Sequence, residues 1–264
     1  MKIQVYTVLT GDYETLNNGD EIFEEDGLSV DYVCFTDNQN LESDYWKFYV
    51  VNPTEDSQAL SRHLKMLRVN QSGGYALSIY KDNCVKLKKG SLIALIDSVG
   101  DSDLVFFAHD RRKYLIQEFI ACEVFRKDKK QRIRKHFQKY LKLDSKILLD
   151  KVVWGGFFLV NHRSRKTNLF LESWHQEFLL GARRDQLSLS YAVRQSGANI
   201  RILDMSNSKS SWHEWPLSLG RSKSQVQTDK WSSKFKRKLK WLLRYIRIAP
   251  WYWFRFLLAF QRLR

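Results

Sequence analysis

The sequence has few of the residues that staple, kink or loosen a chain. Its three cysteines, Cys34, Cys84 and Cys122, are widely separated among 264 residues. Odd in number and unpaired in spacing, they frame neither a disulfide scaffold nor a zinc site, and read as reduced, packed thiols of a reducing compartment. Only 3 prolines and 12 glycines are present, which excludes a collagenous or low-complexity chain. Met1 and Lys2 run straight into the alternating Ile3, Val5 and Thr7. The charged region, apolar run and small-residue site of a signal peptide are missing there, so the expectation is a chain that is not exported. Acidic residues are missing locally: residues 230–264 hold 11 basic side chains and no acidic one, whereas residues 1–60 hold 13 acidic and 2 basic ones. The formal charge of +15 is therefore a local property, and a detached basic tail needs its own explanation.

What the chain does have is apolar and aromatic mass, 44% and 14% of its residues, enough for one large core or two small ones. Ile3–Leu9, Val30–Thr36 and Lys47–Val51 have the β-branched composition and turn-residue boundaries of strands. Leu60, Leu64, Met66 and Leu67 recur at helical spacing after Thr54 or Asp56, predicting a capped helix over 56–69. Further strands are expected over 75–80, 104–109, 151–160 (interrupted by a Gly pair) and 200–203. Helices are expected over 114–140, 167–180 and 185–195. Strands alternating with helices imply an α/β domain with a mostly parallel sheet. The serine-rich segments 206–211 and 218–224 read as loop and linker, after which composition changes abruptly. The expected division is a domain over 1–225 and a basic aromatic tail over 226–264.

Polar clusters gather at expected strand ends: Thr7–Tyr13, Phe35–Asn38, Asp82-Asn83 and His109–Arg112. Any one is explained by turn chemistry, but ligands bind at the carboxyl edge of an open α/β sheet, and four clusters exceed what turns require. Asp101-Ser102-Asp103 precedes a strand instead of following one, and reads as a solvated turn.

An ordered set of motifs carries a family resemblance: VYTVLTGDYETL (5–16), VDYVCFTDN (30–38), SRHLKML (61–67), SIYKDN (78–83), FFAHDRR (106–112), EFIACEVFRKDK (118–129) and RRDQLSLSYAV (183–193). Over residues 3–204 the chain resembles the glycosyltransferase-like domain of plant mucilage-related and turgor-related proteins and of many bacterial proteins. It is further similar to the retaining family 8 glycosyltransferases. The resemblance implies a GT-A fold, a Rossmann-like, mostly parallel sheet flanked by helices, and transfer of a sugar from a nucleotide-sugar donor. Asp185 and Gln186 match an acidic-amide pair facing the sugar, and become the candidate catalytic residues. Asp82 matches a strand-end aspartate, and His213 a late histidine, of a Mn²⁺ or Mg²⁺ site. Asn83 and Cys84 stand where a second carboxylate is expected, which weakens that site. Thr7, Gly11, Tyr13, Asp37, Arg62, Lys65 and Arg184 are the candidate donor-binding residues, and His109, Trp154, Gly155 and Gly156 the candidate sugar or acceptor contacts.

Each candidate has a plainer reading. Asp185 at a helix start can be a cap favoured by the dipole; His213 between two Trp can be packed; Arg62 and Lys65 can be a solvated face; a Gly pair can mark a bulge.

The run Arg126–Lys142 holds 9 basic residues and 1 acidic residue among 17, an amphipathic helix with a cationic outer face. In the tail, Phe235, Leu239, Leu242, Leu243 and Ile246 share one arc, and Lys236, Arg237, Lys240, Arg244 and Arg247 another, the pattern of an interfacial helix. After Pro250, WYWFRFLLAF is expected to lie in the membrane surface without crossing it. Docking of these rings on the domain or on a partner protein is the alternative. Basic residues near an anionic leaflet each contribute about 1 kcal/mol, so residues 230–264 are expected to attach the protein peripherally to the inner face of a membrane, from the cytoplasm. The composite expectation is a retaining, metal-assisted transferase acting on a surface polysaccharide or glycolipid. A degenerate transferase fold that only binds glycan or membrane is the alternative. An RNA-binding module ranks last, for want of a nucleic-acid motif and because of the acidic first 60 residues.

Overall fold

A computed structural model describes residues 1–12, 14–23, 26–68, 74–90, 92–217 and 231–261, with the side chains of the last segment described from 238. Tyr13, the serine-rich segment 218–224 and the expected 225/226 boundary lie outside the described residues.

Seven strands form one mixed sheet: β1 (Lys2–Leu9), β2 (Ser29–Thr36), β3 (Lys47–Val50), β4 (Leu77–Lys81), β6 (Leu104–Ala108), β7 (Val153–Asn161) and β8 (Ile200–Leu203). Their order is β3-β2-β1-β4-β7-β6-β8. All run parallel except β7, which is antiparallel to both β4 and β6. The expected α/β class is thus observed. Two short strands the sequence did not announce, β5 (Lys86–Leu87) and β9 (His213–Glu214), pair in a separate ladder.

Alternation along β1 feeds two cores. Ile3 and Val5 face one side, with Trp46, Phe157 and Leu92 and Leu95 of α2 (Leu92–Asp97). Tyr6 and Val8 face the other, under α1 (Ser57–Leu67), α5 (Arg165–Leu180) and α6 (Asp185–Ser196). Asp56 caps α1 as expected, its Oδ1 accepting from the Ala59 amide at 2.9 Å. Asp103 is not the solvated turn expected: it is 7% exposed and accepts from the Asn199 amide at 2.7 Å, because the amide starting the next strand needs a partner where the sheet edge is covered.

Residues 114–140 are not one helix. α3 (Leu115–Val124) and α4 (Lys130–Leu143) are separated by a turn in which Arg126 is left-handed, at φ 54°. A third core lies between these helices, the 3-10 turn Ser145–Leu149 and α7 (Trp231–Gln261), which carries Pro250 within it. The tail is therefore not a pair of helices lying wholly free. Ala249, Tyr252 and Phe256 are buried against α3 and α4; Tyr252 donates to Glu123 at 2.8 Å, and the Arg134 guanidinium sits 4.2 Å from the Trp251 ring centroid. Spacing at i, i+3 and i+7 gives these three residues one face, adjoining the arc the sequence assigned to lipid. Leu239, Leu242, Leu243, Ile246, Phe254 and Leu257 stay exposed.

Candidate active site

A sheet whose chain winds away in opposite directions from neighbouring strands opens a crevice at their carboxyl ends. That switch occurs here between β1, which continues outward through β2 and β3, and β4. A cleft of about 740 Å³ opens there, lined by Leu9 and Thr10 after β1, Asp82 and Asn83 after β4, His109 after β6, Trp154–Gly156 of β7, and Arg184–Gln186 at the start of α6.

The cleft floor is built around a buried lysine. Lys65 on α1 is 1% exposed. Its ammonium donates to the Gly155 carbonyl at 2.7 Å and to Asp185 Oδ2 at 2.9 Å, and lies 4.5 Å from the Tyr80 ring centroid. Arg62, one turn earlier on the same face, brings Nε to 3.2 Å from the same carboxylate oxygen. Burial disfavours charge on Asp185, but Arg62, Lys65 and Arg184 outweigh it and hold the carboxyl well below the usual carboxylate range. Asp185 stands in the first turn of α6, where its Oδ1 also accepts from the Gln186 amide at 3.2 Å, so the helix-start placement read from the sequence holds alongside the pairing of Oδ2 with α1.

The Gly pair is a bulge, as one reading of the sequence allowed. The β6–β7 register jumps from Phe106–Phe158 to Phe107–Trp154, which pushes 155–157 out of the ladder and turns the Gly155 carbonyl to Lys65. The Gly156 carbonyl accepts from the Asp82 amide at 2.7 Å. A Cβ on Gly156 would stand 2.5 Å from the Trp154 indole, whereas one on Gly155 would meet Lys65 Nζ at 3.5 Å and Asp185 Oδ2 at 3.6 Å, ordinary contacts.

Of the residues singled out from sequence, Arg62, Lys65, Asp82, His109, Trp154, Gly155, Gly156, Arg184, Asp185 and Gln186 line this one cleft. Gln186 also donates to the Val153 carbonyl at 3.2 Å, tying α6 to β7. His109 accepts from the Arg111 amide at Nδ1 and meets Arg112 at Nε2; burial and Arg112 push its pKa down to about 4, so it is neutral at pH 7. Thr7 is wholly buried within β1 and does not line the cleft. Gly11, at φ 65°, donates to Asp37 at 2.9 Å, and the pair shapes the loop after β1 beside the cleft.

His213 is fully buried among Phe107, Trp154 and Phe157. Burial pushes its pKa down; the neutral ring donates from Nε2 to the Asn207 carbonyl at 3.0 Å and accepts at Nδ1 from Ser210 at 2.7 Å. Neither ring nitrogen faces the cleft. Asn83 is spent on Asn17, Glu14 and Thr15, and Asp82 Oδ1 accepts from Tyr80 at 2.6 Å with Lys65 Nζ 4.0 Å away. Among the described residues no three His, Cys, Asp or Glu side chains converge. Asp82 with Glu14, which is tied to Asn83 at 3.1 Å, is a sparse donor set in a cleft lined by five cations, and does not fit a Mn²⁺ or Mg²⁺ site that prefers several oxygen ligands.

Sequence reasoning did not name Glu14, Ser61, Arg112, Lys127 and Trp215 as site residues, although all five stand on the cleft wall. Arg112 belongs to the strand-end cluster His109–Arg112 that the sequence pointed to, and Lys127 to its basic run 126–142. Compared with known proteins, the chain matches no family model and no curated protein.

Proposed function

We propose that the chain is a GT-A-type glycosyltransferase that takes a sugar from a nucleotide-sugar donor to a polysaccharide or glycolipid acceptor. The observation that carries this reading is the carboxylate of Asp185, kept charged by Lys65 and Arg62 at the floor of a cleft at the sheet's switch point. In transfer, the bond from the anomeric carbon to the diphosphate oxygen breaks and a bond to the acceptor oxygen forms. The sugar ring gains positive charge as the leaving group gains negative charge. A fixed carboxylate stabilises the first, and fixed cations the second, without reorganisation at the moment of reaction.

Asp185 accepts from Lys65 and from the Gln186 amide, and so suits electrostatic stabilisation of the sugar and contact with its hydroxyls, not proton abstraction. The acceptor proton then passes to the departing diphosphate on the same face, which gives retention. Gly156 lets the Trp154 indole fold back against the bulge, so that the backbone of 155–156, with Asp185 and Gln186, forms the wall a sugar ring would meet.

Attachment to an anionic membrane surface belongs to the same reading. No described helix is long and apolar enough to cross a membrane. On α7 the apolar Leu239, Leu242, Leu243 and Ile246 are exposed beside Lys240, Arg244 and Arg247, while Tyr252 and Phe256 fasten the helix to the domain. A glycolipid acceptor would then be presented at the inner face of the membrane.

The test is release of nucleoside diphosphate from a panel of nucleotide sugars, by the wild type and by Asp185→Asn. Turnover of one donor that falls at least a hundredfold in the variant supports transfer. Binding without turnover would favour the alternative, a glycan-binding protein of the same fold, for which the heavy pairing of Asp185 argues.

A further inference from the structure

We propose that this cleft holds the diphosphate of its ligand with protein cations alone, Arg184 and Lys127 standing where a divalent metal would otherwise be. The inference rests on the transferase reading for its substrate, but on other residues for its evidence. Five cations line the cleft (Arg62, Lys65, Arg112, Lys127 and Arg184) against Glu14, Asp82 and Asp185. Three of the five are committed: Lys65 and Arg62 to Asp185, and Arg112 to Glu118 and His109.

Arg184 and Lys127 have no such close partner among the described residues, although the Arg184 charge still helps to hold Asp185 ionised. Arg184 Nε is buried and has no hydrogen-bond partner, although a buried guanidinium N–H left unpaired is costly. No described residue makes an ion pair with it. A planar fork of donors at a cleft wall matches a phosphate bidentately. Arg184 also precedes the first turn of α6, where the positive end of the helix dipole favours an anion.

Lys127 reaches the cleft through an unusual backbone. Its amide donates to the Cys122 carbonyl at 2.9 Å and the Arg126 amide to the Glu123 carbonyl at 3.2 Å, a Schellman-type ending of α3 with Arg126 left-handed at φ 54°. Glycine is the usual residue there; a side chain in that conformation is strained, and strain held next to a site is a pointer to its use. The turn carries the following residue, Lys127, to the cleft wall, where its ammonium has no ion-pair partner among the described residues. Two cations without a close ion-pair partner would meet two phosphate groups.

The measurement is calorimetric titration of the full chain with inorganic pyrophosphate in EDTA, then with the nucleotide-sugar panel in EDTA and in Mn²⁺. The expected result is pyrophosphate binding in EDTA that weakens as ionic strength rises. It should weaken tenfold or more in Lys127→Ala and in Arg184→Gln, with Arg184→Lys intermediate because it keeps charge and loses the fork. Melting temperatures within a few degrees of wild type identify the losses as local, and Lys127→Ala, at an exposed rim, guards against misfolding of the Arg184 variants. Pyrophosphate that binds only with Mn²⁺, or equally well to all variants, overturns the proposal. If one nucleotide sugar is bound and hydrolysed only with Mn²⁺, the transferase reading stands and this inference falls. If pyrophosphate binds through these residues in EDTA while no nucleotide sugar does, the diphosphate site stands and the transferase reading falls.

Discussion

Replacing Lys65 by Met tests the cleft floor most severely, because Lys65 is at once the partner of Asp185 and of the bulged Gly155 carbonyl, at 2.9 and 2.7 Å. Methionine fills a similar volume among Tyr80, Phe158 and Trp174, the rings that surround the ammonium, so little cavity is created. What is lost is electrostatic: a carboxylate 5% exposed keeps only Arg62 and Arg184, and a carbonyl loses its donor. Breaking a buried pair from one side costs about 3–5 kcal/mol, and for a chain of this size each kcal/mol lowers Tm by about 2–4 °C, so the variant should melt about 6–20 °C lower. Asp185→Asn should also destabilise, by about 2 kcal/mol or more, since a buried lysine is then left without its counter-charge. The double variant removes both charges and should cost less than the sum, with a coupling of about 1–3 kcal/mol. Urea denaturation of the four proteins measures it. Additivity within about 0.5 kcal/mol would refute the claim that the two side chains form one buried ion pair.

Gly156→Ala should cost about 1–3 kcal/mol and disturb the cleft, because its Cβ would meet the Trp154 indole at 2.5 Å, whereas Gly155→Ala, with no contact under 3.5 Å, should fold near normally; thermal melts compare the two. Burial pushes the pKa values of His109 and His162 down to about 4, so both are neutral in the fold and protonate more readily when unfolded. Stability should be complete above about pH 6.5 and fall toward pH 4, by roughly 1–3 kcal/mol per histidine, a loss that His162→Gln should reduce in urea titrations across pH. Leu242→Glu with Ile246→Glu, at positions 54% and 59% exposed, should abolish sedimentation with anionic liposomes and leave the melting temperature unchanged; unchanged sedimentation would remove the membrane from the account.

The part of the fold that local periodicity controls was legible. β1 and β2 alternate between two cores, Asp56 caps α1, and the strand-end clusters after β4 and β6 meet in one cleft because a parallel sheet puts its carboxyl ends on one edge. What stayed hidden depends on contacts distant in sequence. Nothing in 114–140 marks the break at Arg126, since no glycine or proline stands there. Asp20 lies in an acidic segment that reads as exposed, yet it pairs with Lys81 at 2.7 Å with both side chains fully buried, and fastens the loop after β1 to β4. Tyr252 and Phe256 look like interfacial rings until α3 and α4 supply the surface that covers them. His213 had the polarity of a ligand, but its two ring nitrogens are used by Ser210 and Asn207, a loop arrangement with no periodic signal.

We propose that the cleft around Asp185 binds and cleaves a nucleotide sugar. Calorimetric titration of the intact chain with UDP-, GDP-, ADP- and CMP-linked sugars, each followed by assay of the released nucleotide, tests it most directly. The expected result is saturable heat and slow hydrolysis with one donor class, both lost in Asp185→Asn under conditions where that variant is folded. Absence of heat with every donor, with and without Mn²⁺, would contradict it.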